Sequence, residues 1–268
     1  MSDTITDTMT DAPTAPLLCE TDGPIARITL NRPEAFNAMN APLRAGFRDA
    51  ISAIHADEAI RVVIVSGAGR GFSAGTDLAE EIASPVSLLI EREYRPLLTA
   101  IATSPKIWIA QVHGSAAGIG AALAMNCDLV TMSDDATIYM AFAAIGLVPD
   151  GGNTWLLHRG LGYRKALQAI LEGRKIPAAE AVEFGLANAA YAQDQLADET
   201  TAMATRIAAG APLATAAAKR LLRAMDGMSY DSAVTAEAQE QTALIQSEDC
   251  KEAVAAFFAK RKPVFKGR

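Results

Sequence analysis

Twice along this chain, an apolar run of strand length leads directly into a glycine-rich loop. Residues 61–66 (RVVIVS) precede the loop at 66–77, SGAGRGFSAGTD, and residues 107–112 precede the glycines of a second loop at 114–120, GSAAGIG. The second loop continues into an alanine-rich segment that carries no charge before Asp128. Continuous apolar strands are buried on both faces, and their alternation with helical segments predicts an α/β architecture with covered sheets.

The second loop and the segment after it, residues 112–129, also point to a kind of site. A glycine turn that opens a buried helix leaves backbone N–H groups without intrahelical partners, and glycine lets a ligand approach them closely. Such a turn binds an anion or an oxyanion without any charged side chain. Two loops of this kind, each directly after a strand, predict donors from two directions, as an oxyanion requires.

Periodicity and turn residues place the other elements. Further strands are predicted at 17–19, 25–30, 128–133 and 188–191, and helices at 41–55, 86–103 with a break at Pro96, 155–160, 164–171, 178–184, 194–209, 213–225, 230–247 and 249–260. This pattern predicts a disordered tail over 1–16, an α/β core over 17–200 and a C-terminal helical region over 201–268. The alanine-rich C-terminal helices have little to pack on alone, so we expect them to cover the core or a neighbouring subunit.

Composition excludes several classes of protein. The net charge is −7 and the pI about 5.1, with no concentrated basic face, so no nucleic-acid partner is expected. The three cysteines are far apart and form no CxxC pair, which predicts no metal site and a reducing cytoplasm. The first residues lack the pattern of a signal peptide, and no apolar run reaches membrane-spanning length, so a soluble protein is expected.

The first glycine loop allows two alternative interpretations. A dinucleotide-binding GxGxxG would need glycine at position 72, where Phe72 stands. Residues 71–75 do form a GxSxG, and Asp150 and His158 would complete a hydrolase triad with Ser73. Against this, about 110 residues follow His158, the last histidine, whereas a triad histidine lies near the end of that fold.

The chain offers few acid–base candidates near the loops. Asp150 follows the apolar run 145–149 and is read either as a turn or helix-cap residue, or as a base whose pKa is raised by burial. Asp77 is a candidate N-cap. Asp128 ends the central helix, where a carboxylate is unfavourable, so it is expected to have a cationic partner.

Four segments together resemble the crotonase, or enoyl-CoA hydratase/isomerase, superfamily over the chain after residue 16. They are NRPEAFNAMN (31–40), GAGRGFSAGTDL (67–78), VHGSAAGIGAALAMNCDL (112–129) and KRKPVFKG (260–267). The resemblance implies a spiral of ββα units, a C-terminal region that builds a homotrimer or a dimer of trimers, and acyl-CoA substrates. Coenzyme A would then be part of the substrate, with no permanently bound cofactor.

The resemblance also implies roles for individual residues. The N–H groups of Thr76 and Ile119 would form the oxyanion hole, although the family usually has glycine where Ile119 stands, a change that would tighten the pocket. Substrate and CoA would be contacted by residues of five segments: Phe36 and Ala38; Ala74, Gly75, Asp77 and Leu78; Gly120 and Ala122; Phe142 and Pro149; and Phe265 and Lys266, which can reach a neighbour's CoA.

Two positions separate the branches of this family. Hydratases of the family use two glutamates, and the corresponding residues here are Ala122 and Phe142. The segment MAFAAIGLVPDGGNTWLL (140–157) instead resembles the isomerase branch, especially the ring-1,2-epoxyphenylacetyl-CoA and Δ3,Δ2-enoyl-CoA isomerases, which place a single acid or base at Asp150. Asn153 departs from the glycine usual in that branch.

The sequence thus predicts an acyl-CoA isomerase of fatty acid or phenylacetate metabolism with Asp150 as its acid and base. An unusual hydratase, a GxSxG serine hydrolase and a non-catalytic acyl-CoA-binding protein remain alternatives. The far wall of the pocket is expected from residues 80–100 and 135–145.

Overall fold

A computed structural model describes residues 15–81 and 85–268. Most of the predicted tail, residues 1–14, and residues 82–84 of the predicted pocket wall lie outside the described residues. The strands are β1 (Leu17–Asp22), β2 (Ile25–Leu30), β3 (Val62–Gly67), β4 (Ile107–Val112), β5 (Ser115–Ala117), β6 (Leu129–Ser133), β7 (Thr137–Tyr139), β8 (Lys175–Pro177) and β9 (Ala189–Tyr191). The helices are α1 (Ala41–Ala56), α2 (Val86–Leu89), α3 (Arg95–Thr103), α4 (Ile119–Asn126), α5 (Asn153–Leu171), α6 (Ala178–Glu183), α7 (Leu196–Ala208), α8 (Pro212–Ala224), α9 (Tyr230–Leu244) and α10 (Glu248–Phe258).

The larger sheet has the strand order β1-β2-β3-β4-β6-β9. Its first pair is antiparallel and the following pairs are parallel, which brings the carboxyl ends of β3 and β4 side by side. The two glycine loops start from these ends. The smaller sheet pairs β5 with β7 in parallel and β7 with β8 in antiparallel orientation.

Both faces of the larger sheet are covered, as its uninterrupted apolar strands predict. On one face Val63, Val65 and Trp108 pack in a large cluster with α1, α3 and α4. On the other face Val62, Ile64 and Ile109 pack with residues of α7. The predicted division between residues 200 and 201 falls inside α7.

Most predicted elements agree with the structure to within a few residues. The predicted strand at 17–19 extends to Asp22, because all six residues pair with β2. Between α2 and α3 a π-helical turn, Ile90–Tyr94, precedes Pro96, which has no N–H to give an α-helical bond. A glycine with φ +70°, Gly162, divides α5 where two separate helices are predicted.

The sequence analysis missed β5, β7 and β8, which have three residues each. Runs this short carry no period. The glycine-rich loop predicted over 114–120 instead contains β5, which pairs with β7 before α4 begins.

The predicted partner of Asp128 lies on α8. The two carboxylate oxygens accept bonds from Lys219 Nζ at 2.7 Å and Arg223 at 2.9 Å, and one of them also accepts from the Trp108 N–H at 2.9 Å. Lys219 is 7% exposed and also donates to two backbone carbonyls. Burial lowers the pKa of Lys219, and Asp128 opposes that shift. This cluster anchors α8, the first of the last three helices, to the core.

None of the helices in the described part of the chain has the length and apolarity needed to cross a membrane.

Candidate active site

The two glycine loops lie against each other. Ser73 of the first loop donates its N–H to the Ser115 carbonyl at 3.1 Å and accepts a bond from the Ala117 N–H at 2.8 Å. The Phe72 N–H bonds to the His113 carbonyl at 3.0 Å. These backbone bonds join loops that are about forty residues apart in sequence and fix Thr76 relative to Ile119.

Two glycines make this close approach possible. A Cβ on Gly75 would lie 2.9 Å from the Ala117 carbonyl oxygen and 3.3 Å from the Ile119 nitrogen, and its φ is +97°. A Cβ on Gly120 would lie 2.7 Å from the Ser73 Cβ. Larger residues at these positions would push the loops apart.

The predicted donors Thr76 and Ile119 have unoccupied backbone N–H groups. Met39 forms a parallel bridge with Thr76, in which it bonds to the Gly75 carbonyl and the Asp77 N–H, so the Thr76 N–H points away from Met39. Ile119 is the first residue of α4, where an N–H has no intrahelical acceptor. Within residues 15–81 and 85–268, neither N–H donates to an acceptor.

Asp150 lies in a turn that packs on the first turn of α4. A Cβ on Gly151 would lie 2.2 Å from the Ile119 Cδ1 and 2.9 Å from the Ala122 Cβ. The Asp150 carbonyl accepts the Asn153 N–H at 3.0 Å at the start of α5, which fits the predicted turn or cap role of the backbone. Its side chain is free for another role, as Oδ1 is buried with no hydrogen-bond partner in the described structure.

The environment of the Asp150 carboxyl group favours its protonated form. Burial raises its pKa above the ordinary value. The predicted contact Pro149 is buried beside it. Asp150 is therefore partly desolvated, and its carboxylate forms no salt bridge within the described residues.

The positions of the two absent glutamates line the same region. Ala122 is fully buried with its Cβ next to Gly151, and Phe142 is 7% exposed, with its ring tip 3.8 Å from the Cβ position of Gly118. The Ile119 side chain, 2% exposed, fills the space under the Asp150 turn. Ile119 therefore supports that turn from below.

The surroundings of Ser73 and His158 argue against the triad. Ser73 is 1% exposed, and its hydroxyl donates to the Asn37 carbonyl at 2.9 Å and accepts the Gly75 N–H at 3.2 Å. His158 lies on the exposed side of α5. The GxSxG segment has a structural role, since its serine joins the first glycine loop to residues 36–38.

The predicted CoA-contacting segments 36–38 and 74–78 are adjacent. Their backbones are joined by the bond from the Ala74 N–H to the Phe36 carbonyl at 2.9 Å. Phe36 and Leu78 are exposed at the surface, by 46% and 66%. Arg32 crosses between the segments, donating to the Ala38 carbonyl and, at 2.8 Å, to the Asp77 carboxylate.

The interpretation of Asp77 as an N-cap is wrong, because no helix begins after it within residues 78–81. Its carboxylate accepts bonds from Arg32 and from the Ala79 N–H at 3.0 Å, two residues on, which closes a turn. The bond from Arg32 lowers the pKa of Asp77 below its ordinary value. Asp77 is thus a charged tie between two loops.

Phe265 and Lys266 lie at the opposite end of the larger sheet from Thr76. The Phe265 carbonyl accepts a bond from Arg61, which precedes β3, and the Lys266 N–H donates to the buried Asp249 of α10. Within one chain these residues do not meet the loops. Their proposed contact with CoA therefore depends on a neighbouring subunit.

Tyr94 lies within the predicted pocket-wall segment 80–100, but the sequence did not single it out as a residue of the site. Tyr94 is 2% exposed and lies on the π-helical turn, from which its hydroxyl donates to Thr76 Oγ1 at 3.1 Å. Burial raises its pKa, and the Asp150 charge adds to that shift. The π-helical turn that directs this side chain has no sequence signature apart from Pro96.

No group of three metal-ligating side chains occurs among the described residues. The backbone N–H groups of Thr76 and Ile119, which have no acceptor in the described part of the chain, and Asp150 Oδ1, which is buried there without a hydrogen-bond partner, together form the candidate site.

Comparison with known proteins identifies the class. The enoyl-CoA hydratase/isomerase family matches residues 20–268. The 1,2-epoxyphenylacetyl-CoA isomerase of Escherichia coli is 34% identical over 94% of this chain and 98% of its own length. The 2,3-dehydroadipyl-CoA hydratase of the same organism is 33% identical over 90% of this chain and 94% of its own length. An enoyl-CoA hydratase from Bacillus anthracis superposes with a TM-score of 0.90 at 27% identity, covering 94% of this chain and 100% of that chain.

The chain belongs to the enoyl-CoA hydratase/isomerase family, the crotonase superfamily, and has its α/β fold with C-terminal helices. Relatives of similar identity bear the names of isomerases and of hydratases.

Proposed function

We propose that this chain is an acyl-CoA isomerase that moves a double bond, or rearranges a ring, through a thioester enolate. The observation that carries the proposal is Asp150 Oδ1, which is buried without a hydrogen-bond partner among the described residues, in a turn that packs on the first turn of α4 through Gly151. The Thr76 and Ile119 N–H groups would hold the thioester oxygen. Coenzyme A enters as part of the substrate.

In the double-bond shift, Asp150 takes the proton from the carbon alpha to the thioester. The electron pair of the broken C–H bond forms a double bond to the thioester carbonyl carbon, and the carbonyl π pair moves onto the oxygen, where the two backbone N–H groups would stabilise the charge. When the carbonyl re-forms, electron density shifts along the conjugated chain to the gamma carbon. Protonated Asp150 then returns the proton at the gamma carbon, and the double bond comes to lie between the alpha and beta carbons. The raised pKa of Asp150 suits both proton transfers. Its carboxylate is a stronger base than a fully solvated one for removing the alpha proton, and its protonated form can return that proton to the gamma carbon.

The alternative is hydration. Family hydratases position water with two glutamates, and here the corresponding residues are Ala122 and Phe142, of which the first is fully buried. One carboxylate suffices for a proton shuttle, whereas addition of water is assisted by two. A further alternative is a non-catalytic acyl-CoA-binding protein, which would bind the thioester and form neither the isomerised nor the hydrated product.

Asp150→Asn tests the proposal because it keeps the shape and removes the base. Wild type should convert 3-hexenoyl-CoA to the conjugated 2-enoyl-CoA, followed by its absorbance, and should hydrate crotonyl-CoA much more slowly. The variant should lose isomerisation by about 10²–10⁴-fold, the usual contribution of a general base. Near-normal isomerisation in the variant, or hydration as the faster wild-type reaction, would overturn the proposal.

Asp226→Asn is a matched control. Asp226 lies in an exposed turn after α8, where its carboxylate is 3.1 Å from Arg159 and its side chain is 48% exposed. The same substitution there should leave both reactions unchanged.

We further propose that the enzyme acts in the cytoplasm as a homotrimer or a dimer of trimers. Its exposed apolar side chains support a subunit contact: Tyr163 on α5 is 67% exposed, and Phe257 and Phe258 on α10 are 78% and 79% exposed. A molar mass in solution equal to three or six chains tests this, and that of a single chain would refute it.

A further inference from the structure

One peptide group carries both an oxyanion donor and a crowded acceptor. The N–H of Ile119 and the carbonyl of Gly118 belong to the same peptide unit. That carbonyl accepts bonds from the Ala121 N–H at 3.1 Å, the Ala122 N–H at 3.3 Å and the Asn153 Nδ2 at 2.9 Å. The first two bonds are those of a helix start, and the third comes from the side chain of another helix.

Asn153 connects this peptide to the catalytic turn. It is fully buried as the first residue of α5, and its own N–H donates to the Asp150 carbonyl at 3.0 Å. A single residue thus bonds the backbone of the proposed base through its main chain and the backbone of the proposed oxyanion donor through its side chain.

From this arrangement we propose that Asn153 is a positioning residue that orients and polarises the Ile119 N–H for the oxyanion. The inference rests on the proposed function of the site. Within a peptide group the carbonyl and N–H share one delocalised system, so a donor on the oxygen withdraws electron density from the nitrogen and makes its N–H a stronger donor. The bond also fixes the plane of the peptide and with it the direction of the N–H.

The other end of the Asn153 amide argues against a purely structural role. Its Oδ1 is buried and has no hydrogen-bond partner in the described structure. Exchanging the two amide atoms would place an acceptor against the Gly118 carbonyl, so the hydrogen-bond network assigns Nδ2 to that contact. An unsatisfied buried oxygen destabilises the fold, and the Gly118 carbonyl already has two backbone donors, so stability alone does not account for this asparagine.

The test compares Asn153→Ala with Asn126→Ala. Asn126 is the matched control because it too donates a side-chain amide bond to a backbone carbonyl, that of Leu98 at 2.6 Å, but from the far end of α4. Asn153→Ala should lower kcat for 3-hexenoyl-CoA by about tenfold, less than the 10²–10³-fold loss seen on removing a whole oxyanion donor, with little change in KM. Asn126→Ala should retain the wild-type kcat.

A second readout reports the oxyanion site without catalysis. The absorption of 4-dimethylaminocinnamoyl-CoA moves to longer wavelength when its thioester oxygen accepts hydrogen bonds. Bound to Asn153→Ala it should show a smaller shift than when bound to wild type or Asn126→Ala. Asn153→Leu, which keeps a similar volume but has no donor, should behave as Asn153→Ala does and replaces it if the alanine variant fails to fold.

An unchanged kcat together with an unchanged probe shift in the Asn153 variants overturns the inference, even if Asp150→Asn proves inactive. A reduced probe shift supports it, even if Asp150→Asn retains isomerisation and the proposed reaction fails. A fall in thermal stability with kcat and the shift intact would make Asn153 a structural tie and refute the positioning role.

Discussion

The contact between the two glycine loops is the feature whose perturbation should be most informative. Gly75→Ala introduces a Cβ 2.9 Å from the Ala117 carbonyl oxygen, at a φ of +97° that alanine does not readily adopt. Backbone strain of this kind costs about 1–3 kcal/mol, and overpacking in a closely packed region costs about 1–3 kcal/mol more. A total near 4 kcal/mol would lower the Tm by roughly 8–16 °C, at about 2–4 °C per kcal/mol for a chain of this size.

Catalysis should suffer more than stability does. To relieve the contact, the first loop must move away from residues 117–119, which separates the Thr76 and Ile119 N–H groups. A displacement near 1 Å at reacting groups costs about 10²-fold in rate, so kcat/KM for 3-hexenoyl-CoA should fall by about that factor at 25 °C. Calorimetry and steady-state assays on the same preparation give both numbers.

Gly23→Ala separates strain from crowding. Gly23 also has a positive φ, +53°, but a Cβ there would meet no atom within 4 Å, and the residue lies in the β1–β2 turn. The control should lose about 1–2 kcal/mol from backbone strain alone and keep full activity. If Gly75→Ala retained wild-type kcat/KM and lost no more stability than Gly23→Ala, the loops would not be in the tight contact that the oxyanion site requires.

Three further predictions concern charge and burial. Because burial raises the pKa of Asp150, the stability that this group contributes is full below its ordinary pKa and is lost as the pH rises through the folded-state pKa. Asp150→Asn should therefore raise the Tm at pH 7, and this gain in Tm should shrink in acid. A gain in Tm that does not depend on pH would contradict the raised pKa. Asp128→Asn leaves Lys219 without its carboxylate partner and should lower the free energy of unfolding, measured by chemical denaturation, by about 3–5 kcal/mol. Much of this loss should be recovered in the double variant Asp128→Asn with Lys219→Met. Equal losses in the single and double variants would contradict a coupled pair. Ser73→Ala removes two buried hydrogen bonds and should lower the free energy of unfolding by about 1–3 kcal/mol while changing kcat by no more than about tenfold. Abolished turnover in the folded variant would instead support the serine hydrolase alternative.

Local patterns determined much of the fold. Strands β2, β3 and β4 and helix α1 were predicted to within one residue, because apolar runs and helical periodicity are properties of adjacent residues. The prediction of isomerisation rather than hydration also came from the sequence, because it depends on the identities of two residues, Asp150 and Ala122. The three-residue strands of the smaller sheet were missed, because their stability comes from pairing with distant strands.

Only the tertiary structure decided how the site is assembled. Sequence motifs named Thr76 and Ile119 as donors, but the bonds between residues 72–73 and 113–117 are what fix one relative to the other. The partner of Asp128 on α8, the Tyr94 hydroxyl at Thr76 and the Asn153 amide on the Gly118 carbonyl are likewise contacts between residues far apart in the chain. Such contacts depend on how elements pack in three dimensions, which the spacing of residues along one chain does not encode.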